Sequence, residues 1–335
     1  MVSLLGPALL LAACSGGPQG GRPAPGAPPG APPAPAASGA ARATPPPAAT
    51  LSPEERRLGE IDLRLAAYDA AQAEGRVQEA EARAADLAQR VEADFVLLAA
   101  AARGAHGPEG AYVGTMAMGF ARRAEATAVL VEQLAGRDAR LVANALLALK
   151  LRADPATPLG PLGLHVASRD ADVRRYAPLA VARVLEARRR VGMAPDRVAE
   201  DELLQRMAAT LADQDPLVRL HTARALGEVS DRRAVDLLMR LLEDASERVR
   251  LGAAVALGKH GHGPGFVRTV QWLEQAADED KPLFAAALAA HAGRLQGRPL
   301  TPLEERALGV SAPAWARWYA ALAARPPGPT GQPTR

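Results

Sequence analysis

A single cysteine, Cys14, serves the whole chain of 335 residues. Internal disulfides and metal sites built on several thiolates are thereby excluded. Lysine is scarce too: Lys150, Lys259 and Lys281 stand alone, so the 40 basic residues are nearly all arginine. Against 37 acidic residues they leave a net charge of only +3, which the isoelectric point of 9.3 overstates. With its heavy alanine usage, 30 glycines and 29 prolines, the composition reflects GC-rich codons and not a nucleic-acid footprint. Aromatic residues make up 3% of the chain, so any cluster of them stands out. Also missing are a Gly-rich phosphate loop, a Gly-x-Ser-x-Gly elbow and any cysteine nucleophile besides Cys14.

What the chain has is repetition. Residues 218–227 read Val-Arg-Leu-His-Thr-Ala-Arg-Ala-Leu-Gly and residues 249–258 read Val-Arg-Leu-Gly-Ala-Ala-Val-Ala-Leu-Gly, seven identities in ten at a spacing of 31. The preceding stretch repeats as well, since Leu204, Met207, Leu211 and Asp213 return as Val235, Leu238, Leu242 and Asp244. One period further on, Phe266 and Leu273 keep apolar positions while Thr269 and Gln275 break the match. Leu204, Met207 and Leu211 follow i, i+3, i+7, one apolar helical stripe, with Asp236, Arg240 and Glu243 on the opposite face of the next copy. Each unit is thus a pair of amphipathic helices that must stack on its neighbours to bury its apolar faces. Asp215-Pro216 supplies an N-cap and a first-turn proline. Gly227 and Gly258 fall where a left-handed C-terminal cap is expected. Weaker copies begin at Val142 and Val173, the latter followed by a 14-residue insertion around Val191–Asp196, and another lies over 283–288. Pro178 is expected to kink its helix and not to end it. About five units result, an all-α solenoid.

The pattern Asp-x-x-Val-Arg-x-x-x-Ala-x-Ala-Leu-Gly resembles HEAT repeats, in particular the HEAT-like type named after phycobilisome lyases. Residues 215–227 follow it throughout, and residues 246–258 do so except for Ser246 in place of the Asp. The resemblance covers about 111–295 and is strongest over 200–275. It implies a right-handed stack of antiparallel helix pairs that makes protein–protein contacts. It also implies that Arg219 and Arg250, with Asp215 and Asp244, are structural residues at the inter-repeat turns. HEAT-like proteins that bind iron for hydroxylation use His-Glu dipeptides, and this chain has none.

The start of the chain, Met1-Val-Ser-Leu-Leu-Gly-Pro-Ala-Leu-Leu-Leu-Ala-Ala-Cys14, is an apolar stretch of secretory-signal length, too short to span a bilayer. Leu11-Ala12-Ala13-Cys14 resembles a bacterial lipobox, although no Lys or Arg precedes the apolar run. The resemblance implies a signal peptide over 1–13, lipid attachment at Cys14 and a cell-envelope location. Ser15 resembles the outer-membrane sorting signal, which implies a protein facing the periplasm or the cell surface. A lyase acting on cytoplasmic phycobiliproteins does not fit that address. Residues 14–50, almost all Gly, Pro, Ala, Ser and Thr after the cysteine, read as a tether. At ~3.1 Å per residue it reaches on the order of 100 Å. The tail 325–335 reads the same way.

Ser52-Pro53-Glu54-Glu55 is a capping box that opens a helical hairpin over 51–108, with a turn at Gly75. Thr301-Pro302-Leu303-Glu304 is a second, opening C-terminal capping helices over 296–324. There Trp315, Trp318, Tyr319 and Leu322 share one face, which seals the last repeat or, in a rival reading, binds a solute or glycan. Of six histidines only His260 and His262 lie close together. With no acidic residue or cysteine beside them, they read as a solvated turn before a metal site. No cofactor is expected. The exposed positions of the second helices, Gln205, Arg233, Asp236, Arg240 and Gln271, are mixed in sign, which argues against nucleic acid and for a protein partner. The expectation is a non-catalytic, lipid-anchored scaffold or adaptor. Its alternatives are a HEAT-like lyase or metal-dependent enzyme, and an envelope solute- or glycan-binding protein.

Overall fold

A computed structural model describes residues 51–324. The expected signal peptide, the Cys14 lipid site, the tether and the tail lie outside the described residues. Among the described residues there are sixteen helices and no strand. The chain divides into two compact units, one ending at Arg90 and the other beginning at Val91.

In the first unit, α1 (Pro53–Ala73) starts from the Ser52 capping box, with Glu55 N donating to Ser52 Oγ and Ser52 N to Glu55 Oε2. It buries Leu58, Ile61, Leu65, Tyr68 and Ala71, an i, i+3, i+4 stripe. Gly75, at φ +68°, turns the chain into α2 (Val77–Ala93). Arg64 pairs with Asp86, and Arg90 reaches Glu60 at 3.0 Å, tying the two arms together.

The sequence reading carries this hairpin to 108, but the helix breaks at Asp94, and α3 (Phe95–Ala102) packs on α4 (Gly107–Met118) inside the second unit. Gly114 makes that contact possible. A Cβ there would lie 2.6 Å from both Ala102 N and Leu98 O, so only hydrogen fits.

Five helix pairs follow one another. They are α4 with α5 (Glu125–Leu134), α6 (Ala139–Arg152) with α7 (Leu159–Leu164), and α8 (Ala171–Arg190) with α9 (Arg197–Thr210). Then come α10 (Pro216–Leu226) with α11 (Arg233–Leu241), and α12 (Glu247–His260) with α13 (Gly263–Gln275). The chain closes with α14 (Lys281–Gln296), α15 (Pro302–Leu308) and α16 (Ala312–Ala323). First helices pack in series, α4 on α6, α8, α10, α12 and α14, while α5, α7, α9 and α11 form the second layer. The core runs between these layers: Leu204, Met207, Val218, Leu226, Leu238 and Leu242 are all buried. This two-layer stack is the α-solenoid expected from the repeat.

Two glycines act differently from the expectation. Gly227 is right-handed at φ −65°, and Gly258 lies inside α12, so neither is a left-handed cap. Their role is close approach. A Cβ on Gly227 would meet Ala256 Cβ at 2.9 Å, and one on Gly258 would meet His291 Cβ at 3.3 Å. The left-handed cap of α12 is Gly261, at φ +63°. Pro178 is buried within an unbroken α8.

Candidate functional site

The inter-repeat turns carry a ladder of arginines. Arg219, on α10, donates Nε and Nη2 to the two Asp244 carboxylate oxygens at 2.7 and 2.8 Å, and Nη1 to Asp213 O at 2.6 Å. One unit earlier, Arg174 donates Nε to Asp213 Oδ2 at 2.5 Å and Nη1 to Ser168 O at 2.9 Å. Each arginine thus ties the turn before its own helix to the turn before the next first helix. Burial alone would raise the Asp244 carboxyl, but Arg219 and the Ser246 N–H hold it below the usual carboxylate range. Asp215 caps α10 through Leu217 N and pairs with Arg175, with the same net lowering against burial.

Arg250 departs from this pattern. Its Nη1 donates to Asp244 O at 2.9 Å, but no carboxylate of the next turn meets it, and the guanidinium lies 4.1 Å from the Trp272 ring centroid. The residue one period after Asp213 and Asp244 is Gln275, which carries no charge and still belongs to α13, whereas α11 ends at Leu241, before Asp244. A π face stands where the other units have an anion.

A second set of bonds laces the opposite edge. Arg152 donates Nε to Thr127 Oγ1 and Nη2 to Arg123 O, both at 2.6 Å. Arg188 donates to Pro155 O and Thr157 O at 2.9 Å each. Lys259 and Arg189 both pair with the buried Glu228. The imidazole Nε2 groups of His165 and His260 donate to Leu134 O and Leu226 O at 2.9 and 3.1 Å. These residues hold the stack together. His262 is likewise occupied, its Nδ1 accepting from Gly265 N as the cap of α13. The pair sits half-buried at a helix junction, not in a solvated turn. Among the described residues no group of His, Cys, Asp or Glu could hold a metal ion. None of the described helices is long and apolar enough to cross a membrane.

The C-terminal aromatics form a core. Trp315 is 1% exposed and donates Nε1 to Gly309 O. Tyr319 stacks on Phe266 at 5.1 Å between centroids, and His291 meets the same Phe266 edge-on at 5.3 Å. Trp318 lies 5.6 Å from the Phe266 centroid, and it and Tyr319 stay half-buried.

All five exposed candidates are on the second helices and exposed: Gln205 on α9, Arg233, Asp236 and Arg240 on α11, Gln271 on α13. Helices α9 and α11 pack together, which brings Gln205 and Arg233 to one place. Gln205 donates to Asp201 Oδ2 at 3.0 Å, and Arg233 Nη2 bridges Asp201 and Asp231 at 2.6 and 2.7 Å. Gln271 is held separately by Arg268.

Between α9 and the loop entering α11 lies a cleft of about 500 Å³ that sequence reasoning missed. Pro195, Arg197 and Val198 form one wall, and Ser230, Asp231 and Arg233 the other. Glu200, Asp201 and Glu202 also line it. Glu200 is only 6% exposed, and burial pushes its carboxyl above the usual range. The sequence did carry a signal. Glu200 occupies the buried stripe Glu200, Leu203, Leu204, Met207, where an acid has no packing reason to be. A smaller concavity of about 330 Å³ on the first unit is lined by Arg64 and Asp86, which neutralise each other.

Residues 200–292 match the family model described as HEAT repeats, a stretch running from α9 into α14. No curated protein matches the chain. The match supports a HEAT-repeat array; such repeats are commonly protein-interaction scaffolds and typically non-catalytic.

Proposed function

We propose that the protein is a non-catalytic scaffold, anchored in the cell envelope through a lipid on Cys14, that holds a protein partner on its second-helix layer. The observation that carries the reading is the α9–α11 surface. There mixed-sign side chains stand exposed over a cleft, while the charges that recur at the turns are consumed by stacking bonds. An extended solenoid face with alternating charge selects a partner by electrostatic complementarity. The anchor is supported by the Leu11–Cys14 motif and by the Pro- and Gly-rich stretch after it.

The test is photo-cross-linking in native cells from positions Gln205 and Arg240, compared with Asp172 and Arg248 on first helices. A protein adduct confined to the second-helix positions is expected. Equal yields from both layers, or none from either, would remove the docking reading. Radiolabelled palmitate should label the wild type and not Cys14→Ser, and labelling that persists in the variant would remove the anchor.

A further inference from the structure

The chemistry of the cleft narrows what the partner must present. Building on the docking reading above, we propose that the cleft receives one basic side chain, a guanidinium or an ammonium, carried on an apolar segment of the partner protein.

Four carboxylates line the cleft, those of Glu200, Asp201, Glu202 and Asp231, against the guanidiniums of Arg197 and Arg233. Arg233 is already committed. It is forked onto Asp231 through Nε at 3.1 Å and Nη2 at 2.7 Å, with Asp201 on the same Nη2 at 2.6 Å. Glu200 and Glu202 form no ion pair; Arg197, and beyond the lining Arg188, act on Glu200 only through space. The balance is therefore negative.

Glu200 makes this more than a surface acid cluster. Its side chain is buried, its Oε2 accepts a single bond, from Ser230 N at 3.2 Å, and its Oε1 accepts none from the protein. The carboxylate is largely shielded by the protein but leaves acceptor capacity open, which a charge-assisted hydrogen bond from a bound cation can take up. Burial raises this carboxyl, and a positive charge placed beside it would lower it again. A metal ion does not suit it, because the surrounding acids do not converge to ligate one. A charge-assisted hydrogen bond from a guanidinium or ammonium does.

The rim supplies the second half of the recognition. The turn between α8 and α9 is no longer than those inside the neighbouring pairs, so the extra residues expected around Val191–Asp196 lie instead in the longer α8 and α9. The turn and the start of α9 leave Val191, Met193 and Val198 exposed at 63%, 43% and 74%. Apolar side chains left in water beside an acidic cleft favour a segment whose basic residue is flanked by aliphatic ones. Gly192, at φ +71°, sets the turn that presents them.

The test uses the full-length protein and three fluorescent nonapeptides of alternating Val and Ser that differ only at the centre, Arg, Gln or Glu. The Arg peptide should bind about tenfold more tightly than the Gln twin, a gap of one decade in Kd, and the Glu twin should not bind. Glu200→Gln should remove most of that preference. Glu202→Gln, at an exposed position that leaves the fold intact, should reduce it about threefold. Val198→Ser should weaken the Arg and Gln peptides alike, and Asp278→Asn, remote from the cleft, should change nothing. Equal binding of the three peptides, or an Arg preference untouched by both Glu200→Gln and Glu202→Gln, overturns the proposal. So does preferential binding of the Glu twin or of a single-stranded oligonucleotide, which would make Arg197 the working residue. In any of these cases cross-links from Arg240 would still report a partner, so the docking reading stands or falls separately.

Discussion

Arg219 and Asp244, 25 residues apart, meet as a two-point fork at 2.7 and 2.8 Å, with both side chains largely shielded from solvent. Because Arg219 also holds Asp213 O, this one guanidinium fastens two successive turns. Removing either partner strands a shielded charge, whereas removing both does not. Asp244→Ala should cost about 2–3 kcal/mol in chemical denaturation, and Asp236→Ala, on an exposed face, less than about 0.5. In a double-mutant cycle, Arg219→Met with Asp244→Ala should lose less than the sum of the two. Additive losses would deny the coupling.

Glycine spacing predicts opposite outcomes for one substitution. Gly114→Ala would place a methyl 2.6 Å from the backbone of α3, which cannot move without unseating the helix. A loss of at least ~2 kcal/mol is expected, above the usual range for simple overpacking. Gly59→Ala sits mid-helix in α1 with nothing within 4 Å. It should stabilise α1 by about 0.5–1 kcal/mol. Thermal unfolding of both variants checks the pair.

Acid should loosen the stack before the carboxylates titrate. Burial lowers His221 and His291 to about 4, so both are neutral in the fold while the unfolded chain protonates near 6.5. Between those values the unfolded state binds more protons. Stability present above pH 6.5 is therefore lost as pH falls toward 4, at up to about 1.4 kcal/mol per pH unit for each histidine. Glu200, raised by burial, works in the opposite sense. Urea midpoints at pH 7 and 5 should differ clearly in the wild type. The difference should shrink in His291→Leu, a position buried at 1% exposure. A pH-independent midpoint would contradict the assignment.

The substitute contact at the last turn can be tested too. Trp272→Leu keeps an apolar side chain but removes the face under Arg250, and a loss of roughly 1 kcal/mol is expected. Arg250→Lys should lose part of the same contact, because an ammonium cannot lie flat on the ring. Equal stability of Trp272→Leu and wild type would leave Arg250 held by its turn carbonyls alone.

Much of the architecture was legible because it is written in local spacing. The i, i+3, i+7 stripe of Leu204, Met207 and Leu211, the Asp215-Pro216 start and the two capping boxes each act within one or two turns of chain. The exposed positions on α9, α11 and α13 followed from the same periodicity. What failed were readings in which a residue's role depends on a neighbour about 30 positions away. Gly227 and Gly258 were read as caps because their demand for space comes from Ala256 and His291. For Arg250 the resemblance implies an acidic partner, yet Gln275 already replaces the aspartate in that copy, and only the stack shows the Trp272 ring beneath the guanidinium.

The sequence by itself determined the repeat, its 31-residue period and the capped helix starts at Ser52, Asp215 and Thr301, since helical periodicity and N-capping are local physics. Only the tertiary structure decided which side chains meet across the stack. It turned Arg219, Arg152 and His260 into fasteners, placed Glu200 in a cleft and left Val198 exposed beside it. The reason is that burial and charge pairing are settled between helices, where packing sets the distances and chain order does not.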